Sequence, residues 1–267
     1  LVAINFSFLP VPVVWLLATA GAVVFGAAWA YIPAYLQAKR GSHVVITTIM
    51  FNFIASSLMV FLLVDVIRDF KQMGPHTVAL PKELWFPTFK ELAHLFGFKI
   101  RYSPLNLSFL IAIAASFFVW FLIWKTKWGY EMRAVGHNTK AAIYAGISPH
   151  KNIIIAMLIS GGLAGMLGIN EILGVHHKIV AGFPAGYGFT GIAVALMGRN
   201  HPVGIFPAAF LFGILYQGGS EVTFDMPNIT RYMFVAVQGV IILFSGALEN
   251  LFRPQIESFF VNRINKE

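Results

Sequence analysis

The chain of 267 residues has no cysteine and little charge. The absence of cysteine excludes disulfide frameworks and thiolate metal sites within this chain, and it leaves the redox compartment undetermined. Charged residues make up 11% of the chain and hydrophobic residues 58%, with a mean hydropathy of +0.74. Several apolar runs reach the roughly 20 residues that a helix needs to cross the hydrocarbon core. The composition therefore predicts an all-α, polytopic transmembrane helical bundle.

The net charge of +8 does not require a nucleic-acid partner. Membrane proteins collect Lys and Arg in their cytoplasmic loops, which accounts for an excess of positive charge. No basic helix or basic patch interleaved with aromatic residues accompanies the charge. The sequence thus predicts a lipid membrane as the surrounding phase and no nucleic acid as partner.

Seven apolar segments are predicted to span the membrane within one permease domain, residues 1–267. They are Val11–Leu36, Val44–Ile67, Leu105–Trp124, Asn152–Leu173, Gly186–Gly198, Val203–Gln217 and Arg231–Leu248. Lys125, Lys127 and Arg133 follow the third segment directly, which predicts a cytoplasmic loop over residues 125–151. Alternation then places residues 68–104 outside, although six Lys and Arg lie in that loop.

The loop over residues 125–151 is predicted to contain a short helix. Asn138 and Thr139 suit the N-cap of Lys140–Ala145, and Gly146 followed by Pro149 suits its end. Small side chains dominate this stretch, so its surface fits a groove on another protein. The alternative is a basic loop that only fixes the topology.

The fifth and sixth segments are short and are joined by a turn at Arg199-Asn200-His201-Pro202. Because Pro202 cannot continue the preceding helix, a tight helical hairpin is expected. The glycine-rich run GFPAGYGFTG precedes them. Irregular backbone at membrane depth has to line a cavity or be buried in protein, so this run indicates a translocation path. An ordinary external loop that contains glycines is the alternative.

Four stretches carry a resemblance to a known family. They are VVITTIMFNFIA (44–55), RAVGHNTKAAIYAGI (133–147), the run from GGLAGMLGINEILG to GRNHPVG (161–204) and QGVIILFSGA (238–247). The chain resembles the permease subunits of bacterial ABC importers of the ribose, branched-chain amino acid and nucleoside group, and most of all the nucleoside and simple-sugar permeases. Two differences stand out: about three initial spans with an Asn-Ile-Gly-x-Glu-Gly-Gln motif are lacking, and Ser42-His43 replaces the usual Asn-Glu. Either an N-terminally truncated sequence or a degraded source gene is therefore expected, in line with a start at Leu1.

The resemblance implies a multi-pass permease of about ten spans in the bacterial inner membrane. It implies a second permease subunit, forming a heterodimer, together with a separate ATPase and an extracytoplasmic substrate-binding lipoprotein. ATP hydrolysis belongs to the ATPase, so this chain is expected to be no enzyme and to need no cofactor. The implied cargo is a nucleoside or a simple sugar.

Two groups of site residues are predicted. The surface that couples the permease to the ATPase is assigned to Arg133, Ala134, Gly136, Asn138, Ala141, Ala142 and Gly146. The substrate path is assigned to Asn52, Asn170, Glu171, Gly186, Gly188, Asn200 and Gln238, although intramembrane polar groups also serve as hydrogen-bond partners between helices.

Two other classes of protein are alternatives. An ion-coupled secondary transporter of small polar solutes would place Asp, Glu or His deep in a span, and here the acids lie at span edges. A membrane metalloenzyme would use Glu171, His176, His177 and His201. Neighbouring His176 and His177 point apart on a helix, and the sequence has no His-Glu-x-x-His motif, so no metal site is predicted.

Overall fold

A computed structural model describes residues 9–68, 74–91, 105–183, 186–226, 233–241 and 243–244. Regular secondary structure in these ranges is helical, apart from two isolated β-bridges. The chain divides into two compact units, Leu1–Phe183 and Pro184–Glu267, and each is described by itself. The all-α class is thereby confirmed, whereas the single permease domain stays a prediction.

Among the described residues, the first unit contains six complete α-helices and helical residues at 89–91, and the second contains two complete α-helices. The first six are α1 (Val11–Arg40), α2 (Val44–Phe61), α3 (Ser108–Lys125), α4 (Lys127–His137), α5 (Thr139–Tyr144) and α6 (Pro149–Ile169). The second unit has α7 (Tyr187–Met197), α8 (Pro202–Asp225) and further helical residues at 233–241 and 243–244. Two π-helices, Leu62–Val66 and Asn170–Val175, extend α2 and α6.

Within the described ranges, five helical segments are long and apolar enough to cross a membrane. They are Val11–Arg40, Val44–Val66, Ser108–Lys125, Pro149–Val175 and Pro202–Asp225. The predicted span at Gly186–Gly198 forms α7, whose 11 residues fall short of the roughly 20 that a crossing needs. The predicted span Arg231–Leu248 lies partly outside the described residues. The count of seven is thus not confirmed.

Helices α1 and α6 pack together along a seam of small residues. A side chain at Gly161 would meet the methyl group of Ala30 and the carbonyl oxygen of Gly26, and one at Gly165 would meet the carbonyl oxygen of Ala22. The backbones therefore approach closely, as small residues allow in membrane helices. This seam joins α1 and α6 into a closely packed pair.

Residues 74–91, named the cap segment here, cover one end of the α1–α6 pair. Its apolar side chains join those of the helices in one buried cluster: Val14, Leu80, Leu84, Phe86, Ile169 and Leu173. The indole Nε1 of Trp15 donates a hydrogen bond to the carbonyl of Leu84 over 2.9 Å, and the Phe86 amide donates to the carbonyl of Leu173 over 3.0 Å. Part of the predicted 68–104 loop is thus a packed element, while residues 69–73 and 92–104 lie outside the described residues.

The second unit contains the predicted helical hairpin. Helix α7 ends at Met197 with Gly198 as its C-cap, and α8 begins with Pro202 at its first position. Arg199 and Asn200 turn the chain with φ angles of 56° and 53°, and the Asn200 amide donates to the carbonyl of Ala195 over 2.8 Å. A small buried cluster closes the hairpin: Ala193, Val194, Ala208 and Phe212.

Candidate functional site

The connecting segment, residues 125–151, holds two capped helices between α3 and α6. The Asn138 side chain accepts a hydrogen bond from the Ala141 amide over 3.1 Å, and Gly146 adopts a φ of +77° after α5. Both features were predicted. Helix α4 was not recognised from the sequence, although the Thr126 hydroxyl caps it by accepting from the Gly129 amide over 3.2 Å. A Thr directly after an apolar span is the signal that could have revealed it.

The predicted coupling residues do not all face outward. Arg133, Gly136, Asn138, Ala141 and Gly146 are exposed, and Ala134 is half-buried. Ala142 is only 3% exposed, so its methyl group packs against the rest of the first unit and is not available to a docking partner. Ile143 and Tyr144, which sequence reasoning missed, are 57% and 94% exposed. The outward face of α5 is therefore partly aromatic.

A polar contact fixes α4 against α6. Asn152 is buried, and its side-chain amide donates to the Glu131 carboxylate over 3.4 Å and to the carbonyl of Ser148 over 3.0 Å. The Nζ of Lys127 lies 4.0 Å from the same carboxylate. Because a buried amide needs such partners, these bonds tie helix α4 to the start of α6.

At the opposite end of α6, five side chains form a polar cluster: Asn106, Ser108, Asn170, Glu171 and His176. The Ser108 hydroxyl lies 2.5 Å from Asn170 Oδ1 and also contacts Asn106 Oδ1. The Asn170 amide donates to Glu171 Oε1 over 3.1 Å, and His176 Nε2 lies 3.4 Å from Glu171 Oε2. The structure thus brings together two predicted path residues, Asn170 and Glu171, with three that the sequence analysis did not assign to the path.

The π-helix Asn170–Val175 creates the room for this cluster. Glu171 is only 5% exposed, and a carboxylate so buried requires polar partners. A side chain on Gly174 would collide with the Asn106 amide, so the cluster depends on glycine at this position. π-helical turns inside α-helices occur frequently at functional sites. The π-helix, the buried Glu171 carboxylate and the glycine that makes room for Asn106 together mark this end of α6 as a candidate site.

A cavity of about 650 Å³ opens beside the polar cluster, between α3 and α6. Asn106, Ser108 and Asn170 are its polar lining, and the remaining lining is apolar. Such a cavity, apolar with a few converging polar groups, has the character of a small-molecule site. Asn52 does not reach it and instead lines a separate cavity of about 310 Å³ with Trp29, Phe51 and Ser160.

The other predicted path residues belong to the second unit. Gly186 adopts a φ of +80° ahead of α7, as expected for irregular backbone. Gly188 lies inside α7, so the irregular backbone of the glycine-rich run does not extend to this residue. Asn200 is exposed in the turn, and Gln238 is half-buried in the helical residues 233–241. Within the described part of the chain, no three His, Cys, Asp or Glu are grouped for a metal ion.

The five long apolar helices define a multi-pass membrane protein. The family model for the permease component of branched-chain amino acid transport systems matches residues 2–246, and the chain belongs to this family. The guanosine ABC transporter permease protein NupP of Bacillus subtilis is 37% identical over 229 residues, which are 85% of this chain and 63% of that protein. No solved structure matches the chain significantly.

Two further relatives are similar over much of the chain. The glucose ABC transporter permease protein TsgB13 of Haloferax volcanii is 33% identical over 99% of this chain and 69% of that protein. The nucleoside ABC transporter permease protein NupB of Lactococcus lactis is 34% identical over 80% of this chain and 59% of that protein. The chain therefore spans about six to seven tenths of the length of these relatives.

Proposed function

We propose that this chain is a permease subunit of an ATP-driven ABC importer that moves nucleosides or simple sugars across the bacterial inner membrane. The observation that carries the proposal is the family match over residues 2–246, together with relatives named as guanosine, glucose and nucleoside permeases. In this proposal ATP is hydrolysed by a separate subunit. A second permease subunit and a substrate-binding lipoprotein complete the importer.

The connecting segment is the proposed coupling site on the cytoplasmic side. Helix α5 offers Ala141, Ile143 and Tyr144 to a partner, while buried Ala142 holds α5 to the rest of the unit. An exposed aromatic flanked by small residues suits insertion into a hydrophobic groove of the ATPase. Arg133, one helix earlier, can form a bidentate pair with a carboxylate of that partner.

Helix α6 is the proposed lever between this coupling site and the polar cluster. Only Ala145, Gly146, Ile147 and Ser148 separate α5 from α6. Asn152 and Glu131 tie the start of α6 to α4, and the far end of α6 carries Asn170 and Glu171. Because a helix is stiff along its axis, a displacement of the connecting segment by ATP-driven closure reaches the cavity beside the cluster. Cargo passage is then gated by the same motion.

The cavity chemistry supports a neutral polar cargo. Amide and hydroxyl groups from Asn106, Ser108 and Asn170 face a mostly apolar wall. Amides and hydroxyls bind the hydroxyl groups of a sugar or the edge of a base, and the apolar wall accommodates the face of a ring. Of the two cargo classes, we favour nucleosides because relatives named as guanosine and nucleoside permeases are 37% and 34% identical to this chain.

The test is uptake by proteoliposomes that contain the complete permease, its ATPase and its binding protein. Labelled uridine and ribose are supplied outside together with the binding protein, and ATP or a non-hydrolysable analogue is placed inside. Uridine uptake that requires hydrolysable ATP and persists with a protonophore supports the proposal. Uptake that needs an ion gradient and ignores ATP refutes it in favour of an ion-coupled transporter. Ribose uptake without uridine uptake refutes only the cargo assignment.

A further inference from the structure

The junction of α3 and α4 presents a surface that neither the cavity nor helix α5 uses. It consists of Lys125, Lys127, Trp128 and Tyr130, named the interfacial surface here. Trp128 and Tyr130 are 56% and 62% exposed, and the side chain of Lys127 is 86% exposed. Two large aromatic rings and two ammonium groups thus project from a short stretch next to a membrane span. Both rings follow closely on Lys125, the last residue of the membrane-spanning candidate α3.

The geometry of Gly129 fixes the depth of this surface. A side chain on Gly129 would overlap the carbonyl oxygens of Leu122 and Ile123, so α4 lies directly against the last turn of α3. Helix α3 is one of the five membrane-spanning candidates and ends at Lys125. Trp128 and Tyr130 flank Gly129 in the sequence and therefore lie near the level where α3 leaves the hydrocarbon. That level is the membrane–water interface.

The residues at the end of α3 have the same interfacial character. Trp120 and Trp124 lie one helical turn apart, and the ammonium group of Lys125 is 5.8 Å from the centre of the Trp120 ring. Trp and Tyr are enriched at headgroup level because their rings are apolar with one polar edge. Together with Trp128 and Tyr130, they extend an aromatic belt from α3 onto α4.

The positive charge of the connecting segment favours lipids with anionic headgroups. Residues 125–151 contain five Lys and Arg but a single acidic residue, Glu131. The Glu131 carboxylate is engaged by Asn152 and lies beside Lys127. Positive charge next to a membrane attracts anionic headgroups over a distance of about one Debye length. A protein partner does not explain why the aromatic rings lie at the depth of the span end.

From these observations we infer that the interfacial surface binds the headgroups of anionic phospholipids and holds α4 on the membrane. The ammonium groups of Lys125 and Lys127 contact the headgroup phosphates, and the rings of Trp128 and Tyr130 insert at the level of the glycerol backbone. Because Asn152 ties α4 to α6, this anchor fixes the height of the connecting segment above the bilayer. The inference does not depend on which cargo is transported.

The first test measures lipid selectivity of the full chain. Native mass spectrometry is used to titrate the detergent-solubilised chain with phosphatidylglycerol and, separately, with phosphatidylcholine. We expect the double variant K125Q/K127Q to bind phosphatidylglycerol about 25-fold more weakly, since each basic residue near the surface contributes about fivefold. The matched variant K140Q/K151Q removes two charges from the same segment and should lose far less. An equal loss in both variants would overturn the inference.

The second test locates the surface relative to the bilayer. The chain has no native cysteine, so single cysteines at Trp128 and Tyr144 can carry a fluorophore without background. Phospholipids with a nitroxide on the headgroup should quench the label at 128 strongly, and iodide in the buffer should quench the label at 144. A label at 128 that only iodide reaches would refute membrane binding. Loss of the lipid quenching on addition of the ATPase would assign the surface to a protein partner instead.

Discussion

The indole ring of Trp85 stacks on the imidazole ring of His177, with centroids 3.6 Å apart and an angle of 5° between their planes. His177 follows the π-helix that extends α6, and its backbone has a φ of 55°, which is uncommon for a residue other than glycine. The Leu80 amide also donates a hydrogen bond to the His177 carbonyl over 2.8 Å. His177 thus adds a ring stack and a hydrogen bond to the contacts between the cap segment and the end of α6 that carries the polar cluster.

The closure of the cap segment is expected to depend on pH through His177. Burial lowers the pKa of His177 below its ordinary value of 6.5; a backbone hydrogen bond with Leu173 opposes this, and the nearby charge of His176 adds to it. The folded state therefore favours the neutral ring. The contribution of the neutral His177 ring to the free energy of unfolding is complete above pH 6.5. This contribution is lost as the pH falls through the lowered pKa of His177. Acidification should open the cap segment.

This opening can be measured by thiol labelling of a cysteine at Leu80, a residue of the cap segment that is buried against the helices. The rate is divided by that of a cysteine at exposed Lys82 to remove the pH dependence of the thiol itself. We expect the ratio to rise as the pH falls below 6.5. The variant His177→Phe keeps the stack without a titrating group, so its ratio should be independent of pH. The same pH dependence in this variant would assign the effect to other groups.

Ala141 and Ala142 should respond in opposite ways to enlargement. Ala141→Trp places a large ring on the exposed face of α5 and should abolish copurification of the ATPase while leaving the amount of folded permease unchanged. Ala142→Trp overpacks a buried site at a cost of about 1–3 kcal/mol and should lower thermal stability. Pull-down and melting temperature distinguish the two effects. Normal ATPase capture by Ala141→Trp would remove α5 from the proposed coupling site.

The polar cluster should not tolerate a methyl group at Gly174. The added carbon collides with Asn106, which has to move away from the cluster, and overpacking of this kind costs about 1–3 kcal/mol. Uptake of the preferred cargo should fall sharply in Gly174→Ala. Gly168→Ala is the matched control, because a methyl group there meets no atom within 4 Å. Equal uptake in the two variants would show that the cluster takes no part in transport.

Valine should be tolerated at Gly188 but not at Gly186. Gly186 has a φ of +80°, and a side chain in the left-handed region costs roughly 1–2 kcal/mol, with β-branched residues the least suited. Gly188 lies in α7 with open space around it, so valine there meets no steric obstacle. Uptake and expression of the two variants test this difference. A greater loss for Gly188→Val would contradict the described start of α7.

The sidedness of the chain can be tested with single cysteines at Lys82 and Ser148, both of which are exposed. If the cap segment is external and the connecting segment cytoplasmic, a membrane-impermeant thiol reagent added to intact cells labels position 82 and spares position 148. Labelling at both positions after permeabilisation shows that each thiol is reactive. The reverse pattern in intact cells would invert the topology and separate the connecting segment from the ATPase.

The sequence by itself determined the class of protein and the local structure at several helix ends. Apolar runs of sufficient length lead to helices in a membrane because every backbone polar group has to be satisfied within the segment. The caps at Asn138 and Gly146 follow from side-chain and backbone chemistry within a few residues. The turn before Pro202 follows from the missing amide of proline. All of these depend on neighbours in the sequence.

The tertiary structure alone decided which residues meet. Asn106 and Ser108 join Asn170 and Glu171 across more than 60 positions, and a π-helix that no periodicity indicates creates the space. The burial of Ala142 and the exposure of Tyr144 depend on which side of a six-residue helix faces the protein, and a helix so short has too few residues to reveal a periodic pattern. Long-range packing therefore determines which side chains form the polar cluster. Local chemistry determines where the helices that carry these side chains begin and end.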